Sequence, residues 1–379
     1  MVVKRIDQLE KFTGFGWLLV VALGVLLFFG GCGEKKAIEE NLSKNSTLDR
    51  GATSEVKSPV HLEDWLKTGK VSGIQLLNGE RKKFLPASAS SLPSKNQKPV
   101  KILFTGDLMF DRYIREVAEK HGNEFIFEKV KNLFAENDLV VSNLEGPITD
   151  NSTMSVRTKI GEKNNLIFTF NPGLAKTLAD NNIKIVCIGN NHILNQGKAG
   201  LEQTKKYLLK AGINYFGDTG GDSGGTIQDK EERFWIKEIN GIKIGFINYN
   251  FSVRESDKKV FEDIVKIKKK VDFVIICPHW GEEYRIGDPG RSIKALAHNF
   301  IDAGADIVIG THPHVVQSAE EYKEKKVYYS LGNFIFDQYF QKETTHGLAV
   351  QLKISPDNPR LELKEINLVL QKNGQTVPQ

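Results

Sequence analysis

Short clusters of potential metal ligands recur along this sequence. His312 and His314 flank Pro313, whose ring fixes the backbone between them. Two imidazoles held on a rigid turn suit ligation by neutral nitrogen. Upstream stand Asp107, Glu145, the pair Asn191 and His192, and His279. Carboxylates, one amide and several imidazoles suit a borderline divalent ion such as Mn, Fe or Zn better than an oxygen-only ion. One carboxylate can bridge two ions about 3.5–4 Å apart, as two-metal hydrolases require. Taken singly, each cluster has a plainer reading: Asp107 after Gly106 could cap a turn, and residues 304–317 could be a solvated loop. The chain shows neither a glycine-rich phosphate loop nor a serine nucleophile elbow.

What could unite the clusters is a series of strand ends. The apolar run 100–105 leads into Gly106-Asp107, and 139–142 into Asn143-Leu144-Glu145. Likewise 183–188 leads into Gly189-Asn190-Asn191-His192, 271–277 into Pro278-His279, and 306–309 into Gly310 and the histidine turn. Residues 327–330 end at Leu331-Gly332-Asn333-Phe334. Open α/β sheets keep their chemistry at such ends. Helices are expected over 113–120, 174–181, 201–211 and 293–301, giving an α/β fold. Asn240-Gly241, between strands 234–239 and 242–248, reads as a hairpin turn, and a second hairpin is expected after Tyr339. The sheet should therefore be mixed, or two sheets should pack together.

Hydrophobic residues make up 40% and charged residues 26% of the 379, which fits a globular protein rather than a disordered one. The net charge of +5 balances 52 basic against 47 acidic residues, so nucleic acid is not indicated as a partner. Cys187 and Cys277 lie in apolar strands and read as small buried hydrophobes, with a disulfide between them left open.

At the amino terminus, Lys4, Arg5 and Lys11 precede an apolar run ending in Phe29-Gly30-Gly31-Cys32. This resembles a bacterial lipoprotein signal, which implies lipidation of Cys32 and an extracytoplasmic protein attached to the cell membrane. Phe29 departs from the aliphatic residue usual in such signals, and an uncleaved anchor is the alternative. The expected organisation is a signal over 1–32, a polar tether over 33–99 with a possible hairpin, a catalytic-type domain over 100–372 and a tail over 373–379.

The motifs Gly106-Asp107-Leu108-Met109-Phe110-Asp111-Arg112, Asn143-Leu144-Glu145, Asn190-Asn191-His192, His279-Trp280-Gly281-Glu282-Glu283-Tyr284, His312-Pro313-His314 and Tyr329-Ser330-Leu331-Gly332-Asn333-Phe334 occur in one order. Together they resemble the CapA family, associated with poly-gamma-glutamate capsule synthesis, over about residues 100–370. That family resembles calcineurin-like metallophosphoesterases, which implies a four-layer sandwich of two mixed sheets flanked by helices. By position, the resemblance implies one ion on Asp107, Glu145 and His314, and a second on Glu145, Asn191, His279 and His312. His192 and Arg112 would be catalytic, and Glu283, Tyr284 and Asn333 would face substrate. Met109 stands where related phosphoesterases have a histidine ligand, and Asn195 replaces an aspartate, which should loosen the support of His192.

His121, His298 and Trp280 read as structural, while Glu282, Asp337 and His346 are undecided. The function implied by the resemblance is a metal-dependent hydrolase acting on an anionic polymer or phosphoester. The alternative is a non-catalytic metal-binding scaffold among membrane-bound capsule synthase subunits.

Overall fold

Val, Ile, Leu and Phe dominate β1 (Val100–Leu108), whose residues are buried along nearly its whole length, as a strand covered on both faces requires. The computed structural model describes residues 98–220, 233–355 and 358–379. Cys32, segment 1–32 and the tether up to residue 97 lie outside these described residues. After β1 come α1 (Arg112–His121), α2 (Asn123–Phe127), α3 (Lys131–Ala135), β2 (Leu139–Leu144), α4 (Leu174–Asp180) and β3 (Ile183–Cys187). Next are α5 (Gly197–Lys210), β4 (Asn214–Phe216), β5 (Phe234–Ile239), β6 (Ile242–Asn250), α6 (Ser256–Ile267) and β7 (Phe273–His279). The chain continues through α7 (Arg291–Ala303), β8 (Ile307–Ile309), β9 (Ala319–Tyr322), β10 (Lys325–Tyr328) and β11 (Asn333–Ile335). It closes with β12 (His346–Ser355), β13 (Asn358–Leu370) and β14 (Thr376–Pro378).

Two mixed sheets result. The first runs β14-β13-β12-β1-β2-β3-β4, with β11 also pairing β1; the second runs β5-β6-β7-β8-β10-β9. Alternate side chains assign the layers. Ile102, Phe104, Val141 and Ile185 of the first sheet share a core with Ile244, Phe246, Ile275 and Ile307 of the second. Their strand neighbours Leu103, Val140 and Val186 face outward onto Ile114, Leu178 and Leu208 of the helices, while Ile247, Val274 and Val308 face Ile264 and Phe300. This is the four-layer sandwich that the resemblance implies. At the β5–β6 hairpin, Asn240 and Gly241 both have positive φ (49° and 78°), the geometry of a type I′ turn.

Three expectations need correction. Residues 373–379 are no loose tail: Leu368 pairs with Pro378 and Leu370 with Thr376, and Gln375 Nε2 donates to the Phe125 carbonyl. Asn333 does not simply end a core strand but opens β11, where the chain has passed from the second sheet to the first. The helix α6 was not expected, because charged residues dilute its apolar stripe of Val260, Ile264 and Ile267. Cys187 and Cys277 are buried free thiols. Among the described residues no helix is long and apolar enough to cross a membrane.

Candidate metal centre

The two sheets bring their strand ends to one place. Asp107 lies near the end of β1, and its register with β2 slips between Phe104 and Asp107. Such an irregularity re-aims a side chain. A Cβ on Gly106 would stand 1.9 Å from the Gly332 carbonyl oxygen, so only glycine lets β1 and the segment before β11 approach this closely. Glu145 follows β2, and Asn191 and His192 follow β3. From the second sheet, His279 ends β7, and His312 and His314 follow β8. These two histidines have φ of 98° and 59°, a region non-glycine residues seldom occupy. Strained backbone of this kind persists where the surrounding structure enforces it, commonly at functional sites.

Two buried groups of ligand atoms form: Glu145 with His279 and His312, and Asp107 with Glu145 and His314. Within each, the atoms lie within 4.8 Å of one another. Glu145 is shared. Its Oε1 is 3.6 Å from His314 Nε2 and 3.9 Å from His279 Nε2, yet neither carboxylate oxygen has a hydrogen-bond partner although the side chain is fully buried. Burial, followed by the nearby carboxylates Asp107 and Glu283, pushes its pKa well above the usual range. A buried charge needs a counter-charge. The two orphaned oxygens among imidazoles therefore fit a divalent cation, and these buried groups can bind a metal.

The imidazoles are held for that purpose. Thr311 Oγ1 lies 3.1 Å from His279 Nδ1 and 3.4 Å from the Pro278 carbonyl, and so holds the ring from behind. His279 Nδ1 also lies 3.3 Å from Asn143 Nδ2, and its Nε2 lies 2.8 Å from Asn191 Oδ1 and 3.2 Å from His312 Nδ1. Burial, then neighbouring imidazoles, pull His279 and His312 well below the ordinary pKa, so both are neutral. Burial also acts downward on His314, but Asp107 outweighs it and the net shift is upward. Asn143 Nδ2 donates to Asp107 Oδ1 at 2.8 Å, and Asn190 Nδ2 donates to Asn143 Oδ1 at 3.1 Å. The sequence motifs contain these two asparagines, and Thr311 precedes one motif, without revealing that they aim the acidic and imidazole groups.

His192 Nε2 comes 4.0 Å from Glu145 Oε1. Its Nδ1 is 3.1 Å from Asn195 Oδ1, which also accepts from the Phe168 amide at 2.8 Å. Asn195 thus contacts His192 from the position of the aspartate it replaces, as a neutral acceptor. Burial pulls the imidazole down to about 4. Arg112 packs between the Phe168 and Phe336 rings and is pinned by Asn165 and by an ion pair with Asp337. Its Nε is a buried donor without a partner.

Two further positions can be placed. Met109 is buried in the outer core of the first sheet and its sulfur accepts from the Asp111 amide at 3.0 Å, so a thioether does not join the cluster. Asn333 does not face a substrate. It is fully buried, with Oδ1 3.0 Å from His314 Nδ1 and Nδ2 donating to Gln338 and to the Thr344 carbonyl. Tyr284 stands at the rim, its ring 5.9 Å from that of His314, while Glu283 is exposed beside it. Asp337 serves Arg112, Glu282 pairs with exposed Arg285, and His346 bonds the Lys342 carbonyl. Trp280 is core, His298 binds Glu320 and His121 stacks on Phe125, all structural. Beside Asn190 and Asn191 opens a polar cleft of about 480 Å³, lined also by Leu194, Ser252, Arg254 and Lys259.

The family profile described as bacterial capsule synthesis protein PGA_cap matches residues 101–338. The chain belongs to that family. Among PGA_cap relatives, PGA biosynthesis protein CapA of Bacillus subtilis (strain 168) is 30% identical over 280 residues, covering 70% of each chain. Capsule biosynthesis protein CapA of Bacillus anthracis is 28% identical over 304 residues, covering 74% of this chain and 71% of that one. A crystal structure described as a novel phosphatase from Mycoplasma pneumoniae aligns with a TM-score of 0.46 and 16% identity, over 72% of this chain and 94% of that chain.

Proposed function

We propose that this PGA_cap protein is a metal-dependent hydrolase of phosphoesterase type, anchored outside the cytoplasm through lipidated Cys32. It would act in synthesis, export or modification of an anionic capsule polymer such as poly-gamma-glutamate. The observation that carries the reading is Glu145, a fully buried carboxyl shared by two ligand groups whose oxygens accept no hydrogen bond. Asp107, Glu145 and His314 would hold one ion, and Glu145, Asn191, His279 and His312 the other. Bound there, divalent ions of the Mn, Fe or Zn class supply Lewis acidity and an activated water.

The chain's own groups have separate tasks. Arg112 is permanently charged, and its pinned guanidinium suits stabilisation of negative charge developing on a phosphoryl or acyl oxygen. His192, neutral in a buried position with Nε2 turned toward Glu145, can orient a substrate oxygen or take a proton. Arg254 gives the cleft beside Asn191 a cationic group for an anionic chain, with Glu255 beside it and Lys259 paired with Asp218.

One observation favours the scaffold reading. The partner of His192 Nδ1 is the neutral amide of Asn195 at 3.1 Å, with no carboxylate there to hold a proton on the ring, and burial pulls its pKa down, which is poor support for protonating a leaving group. The relevant assay uses the full chain loaded with Mn or Zn, a generic phosphodiester and poly-gamma-glutamate. Hydrolysis of either substrate, lost on Asn191→Ala, supports the enzyme. Full metal loading without turnover of either supports a polymer-binding subunit of a membrane synthase.

A further inference from the structure

Behind His314 lies a buried chain of amides whose direction can be read from one atom. The Thr344 carbonyl can only accept, and Asn333 Nδ2 lies 3.1 Å from it. That fixes the Asn333 amide: its Oδ1 faces His314 Nδ1 at 3.0 Å, so Nδ1 carries the hydrogen. The second hydrogen of Asn333 Nδ2 points at Gln338, 3.0 Å away, so the Gln338 atom there is Oε1. Gln338 Nε2 is consequently left to donate to Tyr284 Oη at 3.0 Å. Every bond runs outward from the imidazole to the rim. The tyrosine receives a hydrogen at its oxygen and keeps its own to give.

The backbone holds both ends of this chain in place. The Tyr284 amide donates to the Pro313 carbonyl at 2.8 Å, tying the tyrosine to the turn between the two histidines. The Thr344 hydroxyl donates to the carbonyls of Gln338 and Gln341, fixing the loop that supplies the acceptor. Burial, then Glu283, keeps the phenol protonated, and Glu283 is the acidic neighbour that its hydroxyl meets at the rim.

We propose that Gln338 is a positioning residue that turns the Tyr284 hydroxyl outward as a hydrogen-bond donor to an oxyanion of the substrate seated beside His314. The same amide chain presents His314 to the centre through Nε2. This rests on the metal-dependent reading of the site and deepens it. The amide polarity selects a ligand with an oxygen acceptor, a phosphoryl or carboxylate group, and disfavours a donor such as an amine. When that oxygen arrives, it replaces Glu283 as the acceptor.

The isosteric change Gln338→Glu tests the polarity directly. It keeps the oxygen that accepts from Asn333 but puts an oxygen opposite Tyr284, which turns the tyrosine hydrogen inward. In the full chain loaded with Mn, inorganic phosphate and acetate serve as separate calorimetric probes. One lost charge-assisted hydrogen bond corresponds to roughly a tenfold or greater loss of affinity. Tyr284→Phe and Gln338→Glu should each produce such a loss for the probe that binds, with little change in Tm. The double variant should be no weaker than Gln338→Glu alone, because both remove one bond. Additive losses would mean that the new charge, not the tyrosine, was responsible, and would overturn the proposal, as would an unchanged affinity in either single variant.

A second readout needs neither metal nor anion. Nitrogen-15 NMR of histidine-labelled, metal-free chain, held at a pH where His314 is neutral and assigned with His314→Gln, should show the Nδ1–H tautomer in the wild type and in Gln338→Glu. The Nε2–H tautomer would overturn the chain direction. A wild type that binds neither probe would defeat the proposed function and the oxyanion role together, whereas a wrong tautomer with intact anion binding defeats only this inference.

Discussion

Asn195 Oδ1 stands 3.1 Å from His192 Nδ1, so a neutral amide occupies the place from which a carboxylate would have charged the imidazole. Asn195→Asp should therefore raise the His192 pKa from about 4, since a nearby anion favours the imidazolium. An NMR titration of His192 checks the direction, and an unchanged or lower value would remove the electrostatic role of this position. Asn195→Ala should cost about 1–3 kcal/mol, because the Phe168 amide also loses its acceptor.

Metal should enter in two unequal steps. The group of His279, His312, Asn191 and Glu145 has two imidazoles, whereas the group of Asp107, Glu145 and His314 has one, and Met109 is committed to the outer core. Calorimetric titration of metal-free protein should resolve a tight and a weak event, with His279→Ala abolishing the tight one. Two equal affinities would sink the assignment.

Loading should also release protons. In the metal-free chain, Glu145 and His314 both have raised pKa values, while a metal takes their deprotonated forms. Apparent affinity should accordingly rise with pH through the range where these two groups lose their protons. Titration in two buffers of different ionisation enthalpy should give different heats, and identical heats would show that neither group holds a proton beforehand.

Gly106→Ala should be among the most damaging single changes in the domain. The added methyl would meet the backbone oxygen of Gly332 at 1.9 Å, and no flexible side chain is there to yield. Overpacking of this kind costs about 1–3 kcal/mol or more, and Asp107 would move with the strand. Thermal melting and metal content should fall together; a normal melt with normal metal content would contradict the close approach.

Deleting residues 371–379 should lower Tm in the full chain, because β14 then leaves the edge of β13 and Gln375 leaves Phe125 and Glu128. An unchanged melt would restore these residues to the status of a tail.

The strand ends and the ligand groups were legible because each motif pairs an apolar run with a polar stop, and His312-Pro313-His314 leaves little conformational choice. What the sequence hid was direction and partnership. Nothing local tells that Asn333 serves His314, since that depends on the Thr344 carbonyl reaching it across a loop. Asn143 and Asn190 stood inside recognised motifs, yet their bonds to Asp107 and to each other exist only once β1, β2 and β3 are side by side. The three residues of β14, one of them proline, carry too little pattern to be read as a strand without the β13 edge that receives them.

Because the first three ligands follow strands of one sheet and the last three follow strands of the other, the centre is also a seam. Asp107 arrives with the first strand, His314 follows β8 while two strands of the second sheet are still to come, and its buried partner Asn333 arrives after Gly332 on the return to the first sheet. A growing polypeptide therefore holds only the two carboxylates and the amide until the second sheet supplies the imidazoles of the two groups. Neither ligand group is complete until the second sheet docks on the first, so metal capture would report that docking rather than the completion of either sheet alone.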